Sequence, residues 1–318
     1  MQKRSCKMTL NNKYTKTDIS NVKTLIVILS AILICALISD DISRYARGGL
    51  LLCYNVIIGS VFPFMILTDL IQSEFKVTSN NKLAKLFVKA FKINSNAFSA
   101  FVCGCLCGFP IGVKVADDLY RVCAIKNDEY ERLIGFSNNA GPAFVISGIG
   151  VAMRGSLKDG IILYLSMLLS SITVGILFSL RCTPSKSIAL IDTQKFDFTR
   201  SVKNATASTL NVCGFVTVFS VLCGFLGDVL KNSELRYLIY PFLEISNASK
   251  ILSSTTDLTR NASLSLTSFA VSFSGISVHA QAKSFITNKD ISMKRYYLMK
   301  LLSGVLSSVI SLMLIGLT

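Results

Sequence analysis

The chain has 318 residues, of which 51% are hydrophobic, and its mean hydropathy is +0.55. Only 16% of the residues are charged, well below the ~25% of ordinary soluble domains, and the net charge is +15. The basic residues lie in short stretches between long apolar runs, which is typical of loops facing anionic lipid and argues against a nucleic-acid partner. Composition therefore predicts an all-α polytopic membrane protein.

Residues 1–23 are basic and polar, and they predict a cytoplasmic tail. The rest of the chain contains eight windows without charge, each close to the ~20 residues with which a helix crosses a bilayer. These windows are 24–39, 48–68, 93–113, 133–153, 160–180, 204–227, 261–282 and 301–318. A shorter apolar stretch surrounds Glu244.

The distribution of lysine and arginine indicates which windows span the membrane. If all eight cross once, the basic residues divide 17 to 16 between the two sides, although cytoplasmic loops normally carry the excess. If the segments around Pro110 and Glu244 instead return to their own side as re-entrant hairpins, the division becomes 25 to 8. The sequence therefore predicts about seven spans and two hairpins, with the N-terminus in the cytoplasm.

The same arrangement predicts inverted-topology repeats. The spans at 48–68 and 204–227 run in opposite directions, and each precedes a hairpin and then a broken span. Broken segments at matching places in two halves indicate a transporter's binding site near the membrane midplane. The predicted segments are a first span and outer loop at 24–47, a first repeat at 48–180 (hairpin near 93–125, broken span 133–153), a cytoplasmic linker at 181–203, and a second repeat at 204–318 (hairpin near 237–255, broken span 261–282).

The interruptions supply the expected binding groups. A half-helix that begins inside the membrane points N–H groups and the positive end of its dipole into the cavity, which suits an anionic solute. Glycine allows close backbone approach, proline removes a helix donor, and polar side chains offer hydrogen bonds. The predicted substrate-binding residues are Gly108, Pro110, Gly112, Lys114, Asn138, Asn139, Gly141, Asn247, Ser274, Ser277, His279 and Gln281.

Several of these residues have a second interpretation that the sequence leaves open. Lys114 pairs with a carboxylate of the solute or with Asp117, or it extends to the cytoplasmic surface. The two asparagines either line the cavity or join neighbouring helices. The serines either line the site or pack at a helix interface. His279, the single histidine of the chain, serves the site or senses pH, or it is a packing residue.

Glu244 is the acid of the second hairpin, and we interpret it as a coupling site for H⁺ or Na⁺. The alternative is an ion pair with Lys250 or Lys114. The Lys-rich stretch at 76–92 predicts an amphipathic helix on the cytoplasmic face. No catalytic, nucleotide-binding or metal-binding motif is visible, so the sequence predicts neither an enzyme, nor a metal site, nor a cofactor.

The interrupted segments resemble the YlbJ-type sporulation integral membrane proteins of endospore-forming bacteria. The resemblance covers residues 48–300 and is carried by residues 107–114, 131–144, 243–245 and 273–281. Its most specific part is the run Asn138-Asn139-Ala140-Gly141-Pro142.

The resemblance implies membership of the nucleoside-recognition (Gate) group, which is similar in plan to concentrative nucleoside transporters. It further implies a transporter of dipicolinic acid in the mother-cell-derived outer forespore membrane, acting during sporulation as a possible homo-oligomer. In that role Glu244 suits a proton or ion better than a carboxylate of the solute. Two alternatives stay open: a carrier of nucleoside-type solutes with the same fold, and a non-transporting sporulation scaffold.

Overall fold

The computed structural model describes residues 35–74, 82–185, 196–231, 233–287 and 291–317, together with residues 24, 25, 29, 30, 32 and 33. Every regular element in these ranges is a helix. The predicted cytoplasmic tail at 1–23 lies outside the described residues. Residues 1–45 form one unit and residues 46–318 a second, and the contacts reported below all lie within the second.

The helices fall into two successive series. The first comprises α1 (Ser39–Leu52), a π-helical turn (Cys53–Ile57), α2 (Ile58–Glu74), α3 (Lys82–Phe91), a 3₁₀ turn (Ser95–Ala97), α4 (Phe98–Leu106), α5 (Ile111–Arg121), α6 (Asn127–Ser137), a π-helix (Ala143–Met153) and α7 (Leu157–Leu177). The second comprises α8 (Phe198–Val229), α9 (Leu235–Leu243), α10 (Ile245–Ser254), α11 (Arg260–Phe273), α12 (Gly275–Phe285) and α13 (Lys294–Gly316).

Both series contain, in this order, a long helix, a pair of short helices, a helix broken in its middle and a second long helix, and the first series has α3 and a 3₁₀ turn in addition. The four long helices of the described chain are apolar enough to cross a membrane, and they cover Ser39–Thr68, Leu157–Leu177, Phe198–Val229 and Lys294–Gly316. Length and composition therefore make this an all-helical membrane protein. The broken helices, which the sequence counted as spans, consist of pieces of 11 to 14 residues.

The outer loop expected before residue 48 is helical instead. Residues 39–47 belong to α1, which continues through the π-helical turn into α2. Asp40 and Asp41 lie in the first turn of α1, where the positive end of the helix dipole stabilises acidic side chains. Asp40 and Asp41 therefore mark the start of a helix.

The amphipathic helix predicted at 76–92 is described only from residue 82 onward. Helix α3 buries Ala84, Phe87 and Phe91, while Leu83 and Leu86 are exposed. Its buried face stacks on the ring of Phe136 at the end of α6, with ring centroids of Phe91 and Phe136 4.5 Å apart. This helix therefore packs against the first broken helix.

Four interruptions separate the short helices, and we number them in chain order. Break 1 is residues 107–110, break 2 is residues 138–142, break 3 is Glu244 and break 4 is Ser274. Breaks 1 and 2 touch through their backbones, because a Cβ added to Gly108 would lie 2.6 Å from the Gly141 nitrogen. Breaks 3 and 4 also touch, because a Cβ on Gly275 would lie 3.0 Å from the Leu243 carbonyl oxygen.

Two ion-pair clusters connect the series. In the Asp159 cluster, at the start of α7, Asp159 accepts hydrogen bonds from Arg154 (3.1 Å) and from Arg260, the first residue of α11. In the Asp128 cluster, at the start of α6, Asp128 pairs with Arg132 and with Arg295 at the start of α13. Each cluster thus joins the broken helix of one series to the last long helix of the other.

The clusters differ in burial. Partial burial raises the pKa of the Asp128 carboxyl, but the hydrogen bond from Arg295 and the charge of Arg132 outweigh this effect, so the pKa lies below its usual value. A carboxyl with a lowered pKa stabilises the fold at neutral pH, and this contribution is lost in strong acid as the carboxyl protonates. Asp159 and Arg154 are both almost fully buried, with side chains 4% and 7% exposed.

Asp159→Asn is expected to lower the free energy of unfolding by about 3 kcal/mol, because it leaves the Arg154 guanidinium buried without a counter-charge. Thermal unfolding followed with a thiol-reactive dye measures the effect, since the chain contains ten cysteines. Asp257→Asn is the matched control, because Asp257 pairs with Arg236 at the surface and its loss should leave the midpoint almost unchanged. Equal midpoints for both variants would contradict the prediction.

Candidate functional site

Breaks 1, 2 and 3 line one cavity together with α12, the helix that follows break 4. Break 1 contributes Cys107, Gly108 and Phe109, break 2 contributes Gly141, and break 3 contributes Glu244. The lining is completed by Ile245 and Ser246 of α10, Val278 and Gln281 of α12, Phe144 of the π-helix, Val212 and Val216 of α8, Ile57 of the π-helical turn, and Ser60 and Val61 at the start of α2. The interruptions of both series therefore meet at one place.

The cavity is small and largely apolar. Its polar side chains are Ser60, Glu244, Ser246 and Gln281. About 20 Å³ is open to the centres of water molecules. A water needs about 10–15 Å³ by this measure, so the cavity holds one or two waters and is closed to a larger solute.

Glu244 occupies the start of α10. Its side chain is almost fully buried, and its carboxylate accepts hydrogen bonds from the backbone N–H (2.7 Å) and the side-chain amide (2.9 Å) of Asn247. The same Asn247 amide also donates to Ser220 of α8. A carboxylate at this position satisfies an N–H group that the helix itself cannot pair. The acid therefore acts as the N-cap of α10.

Glu244 forms no ion pair with any described lysine or arginine, so the suggested pair with Lys250 or Lys114 is wrong for the described chain. The positive end of α10 is already occupied by this carboxylate. A second anion in the same cavity would therefore be repelled by an ionised Glu244. The cavity can therefore hold an anion only when a proton or a metal cation neutralises the Glu244 carboxylate.

Break 2 is held by a buried polar network. The Asn138 side-chain amide donates to the hydroxyl of Tyr296 (2.8 Å), and that hydroxyl lies 3.0 Å from Nδ1 of His279. The backbone carbonyl of Asn138 accepts from the ammonium of Lys300 (2.8 Å). These contacts connect the end of α6 with α12 and α13. Asn138 and His279 therefore lie behind the cavity lining.

Asn139 faces the other side of break 2. Its amide nitrogen donates to the carbonyl of Phe136 (2.7 Å) and to the hydroxyl of Ser171 in α7 (3.1 Å). The side-chain oxygens of Asn138, Asn139 and Gln281 are buried, and none has a partner among the described residues. Both asparagines thus join helices, and each keeps one acceptor for water or solute.

The remaining predicted residues support the breaks. Gly112 packs on the Ser137 carbonyl, Ser274 has a left-handed backbone (φ +79°), and Ser277 accepts from the Gln281 amide (3.4 Å). Pro110 and Lys114 line a separate, smaller cavity with Met65, Thr68, Ile111, Ala205, Ser208 and Phe285. Of the predicted set, Gly108, Gly141, Glu244 and Gln281 line the main cavity, whereas Asn247 holds Glu244 in place.

Asp117, the suggested partner of Lys114, serves another purpose. Its carboxylate accepts from the hydroxyl of Tyr130 (3.0 Å) and from the backbone (3.2 Å) and hydroxyl (2.9 Å) of Thr287. It therefore ties α5 and α6 to the segment that follows α12.

Sequence reasoning missed Lys300. The division of basic residues between the two sides of the membrane places Lys300 on the cytoplasmic side, yet the residue is only 1% exposed. The available signal was its position between apolar residues on both sides, Leu298 and Met299 before it and Leu301 and Leu302 after it. A charge inside an apolar run is costly in a membrane and is usually functional.

No family model matches the chain, and no solved structure matches it significantly. Among curated proteins it is similar to the sporulation integral membrane protein YlbJ of Bacillus subtilis (strain 168). The two are 25% identical over 312 residues, which cover 85% of this chain and 76% of the relative. This similarity supports the resemblance to YlbJ-type proteins. The chain is an all-helical integral membrane protein with a sporulation protein among its relatives.

Proposed function

We propose that the protein is a secondary transporter of a small planar anion, with dipicolinic acid as its substrate. The proposal rests on one observation: breaks from both series line the same buried cavity, and Glu244 is the acid in its lining. Irregular backbone within a membrane is tolerated where it lines a cavity or is buried in protein. Such broken helices form the midplane binding sites of many secondary transporters.

The proposed topology follows from the element order. The pairs α4–α5 and α9–α10 are re-entrant hairpins, the two broken helices cross the membrane, and the two series are inverted repeats. The N-terminus then lies in the cytoplasm, as the distribution of basic residues predicts. If the resemblance extends to location, the protein acts in the outer forespore membrane and moves dipicolinate towards the spore core.

Glu244 is the coupling residue in this proposal. It is the acid that lines the cavity, and an anionic solute is compatible with it only after the carboxylate has been neutralised. A proton achieves this most simply, because the N-cap geometry offers two donors to the carboxylate and no cage of oxygen ligands. Transport of the anion would therefore be coupled to proton movement in the same direction.

One observation favours a second candidate, a non-transporting scaffold in spore formation. The cavity is closed to any solute larger than water. However, Glu244 has no basic partner among the described residues, whereas a purely structural buried acid is normally paired. A nucleoside-type carrier of the same fold remains the further alternative, and substrate competition distinguishes it.

Uptake of radiolabelled dipicolinate into proteoliposomes tests the proposal. The wild type is expected to exceed protein-free liposomes, and unlabelled nucleosides are expected not to compete. Gln281→Leu should reduce uptake at least about tenfold, because a hydrogen bond to a charged group contributes about 1.5–3 kcal/mol. Thr173→Val is the matched control, since Thr173 is outside the cavity lining and its hydroxyl bonds within α7. A folded wild type without uptake would favour the scaffold.

A further inference from the structure

Lys300 is a buried basic residue without an acidic partner among the described residues. It lies in α13, one of the four apolar long helices, and its side chain is 1% exposed. Among the described residues its hydrogen-bond acceptor is the Asn138 carbonyl at 2.8 Å, and no carboxylate lies within ion-pair distance of it. When Lys300 is protonated, its ammonium group has three donors, so two are left for another ligand.

The surroundings of Lys300 contain further donors without partners. The Tyr296 hydroxyl accepts from the Asn138 amide and lies 3.0 Å from Nδ1 of His279, so it can direct its own hydrogen to that nitrogen. In that tautomer the ring proton of a neutral His279 is on Nε2, which is buried and has no partner among the described residues. Two buried serine hydroxyls also lack a hydrogen-bond partner among the described residues. They belong to Ser137, next to Asn138, and to Ser303, three residues after Lys300.

Two short stretches of chain connect this donor-rich region to the main cavity. Asn138 belongs to break 2, which also provides the cavity residue Gly141. His279 lies on α12 next to Val278, which lines the cavity as well. A movement of α13 away from break 2 would therefore open the cavity towards Lys300.

We propose that Lys300 is the centre of a carboxylate-binding subsite behind break 2, which receives one carboxylate of a dicarboxylate solute. The inference rests on the proposed transport function and specifies how its site selects an anion. The carboxylate replaces the Asn138 carbonyl as acceptor and pairs with the ammonium. The remainder of the solute occupies the enlarged cavity near Gln281.

The energetic reason is the cost of an unpaired charge in an apolar interior. Burial of an ammonium is expensive unless an opposite charge and hydrogen bonds compensate it. In this structure the Asn138 carbonyl provides that compensation for Lys300. A carboxylate that binds here therefore gains more binding free energy than one that binds an exposed lysine.

Ligand binding to the purified protein tests the subsite by removing the negative charge from the solute. Calorimetry compares pyridine-2,6-dicarboxylate with its uncharged analogue pyridine-2,6-dicarboxamide for the wild type, Lys300→Met and Lys294→Met. Loss of a buried charged partner weakens binding by about 30-fold or more, so Lys300→Met should lose this much for the dicarboxylate and less than about threefold for the diamide, which has no carboxylate to pair with Lys300. Lys294→Met, at the exposed start of the same helix, should bind both ligands like the wild type.

The comparison of the two ligands distinguishes a lysine that binds the solute from a lysine that only stabilises the fold. A merely structural lysine would weaken both ligands equally, and that result, or unchanged discrimination, overturns the subsite while leaving transport intact. A wild type that binds neither ligand overturns both the subsite and the transport proposal. If Lys300→Met does not fold, Lys300→Gln provides the same comparison, because it keeps a donor for the Asn138 carbonyl and removes the charge.

Discussion

Gly104→Ala is expected to destabilise the protein by more than about 3 kcal/mol and to abolish most of the folded yield. A Cβ at this position would overlap the Ser137 carbonyl oxygen, which is a backbone atom and cannot rotate away. The same carbonyl faces Gly112 on α5, so Gly112→Ala meets the same obstacle. The two glycines let α4 and α5 enclose the end of α6.

Size-exclusion chromatography and thermal unfolding in detergent measure this effect. Gly214→Ala in α8 is the matched control, since no atom lies within 4 Å of the added methyl group. Alanine is the better helix former by about 1 kcal/mol, so this control should be neutral or stabilising. A stable Gly104→Ala variant would mean that α4 and α6 are further apart than the structure shows.

Glu244→Gln is expected to remove coupling to the proton gradient without unfolding the protein. The amide oxygen of glutamine still accepts from the Asn247 N–H and keeps α10 capped, whereas the titratable charge is gone. One coupled proton gives at most about tenfold accumulation per pH unit, because one unit corresponds to 1.36 kcal/mol. The wild type should therefore accumulate dipicolinate under a pH gradient, and the variant should only equilibrate it.

Uptake with an imposed pH gradient, and separately with a Na⁺ gradient, tests this prediction. Glu244→Ala is the comparison for capping, because it removes both the charge and the cap, at a cost of about 1 kcal/mol in stability. Gradient-driven accumulation by a folded Glu244→Gln would exclude this residue as the proton carrier. Accumulation driven by Na⁺ alone would replace the proton by sodium.

The interruptions were readable from the sequence because they depend on local chemistry. Glycine and proline weaken a helix, and α4 ends at Leu106 and α6 at Ser137, just before the glycines and prolines of breaks 1 and 2. Glu244 was recognisable as a charge in an apolar stretch. Its role as an N-cap also follows a local rule, since the side chain bonds a backbone group three residues further along.

Lys300 and Lys114 could not be placed in this way. Whether a lysine near a helix end reaches the surface or points into the protein depends on the rotation of the helix against its neighbours. Tertiary packing sets this rotation, so a count of basic residues treats both lysines alike. The structure buries Lys300 beneath break 2 and places Lys114 beside a second cavity.

The insertion of the Ser137 carbonyl between two glycines has a mechanical consequence. Backbone pressed on backbone leaves no side chain that could change rotamer, so α4, α5 and α6 must move as one rigid body. The backbone contact in the second series is looser, since a Cβ on Gly275 would lie 3.0 Å from the Leu243 carbonyl oxygen. Beside it the ring of Phe242 packs on Phe269 and Phe273, and rings can slide past one another. Access to the cavity should therefore be governed by a hinge in the second half, with the first half as the fixed frame.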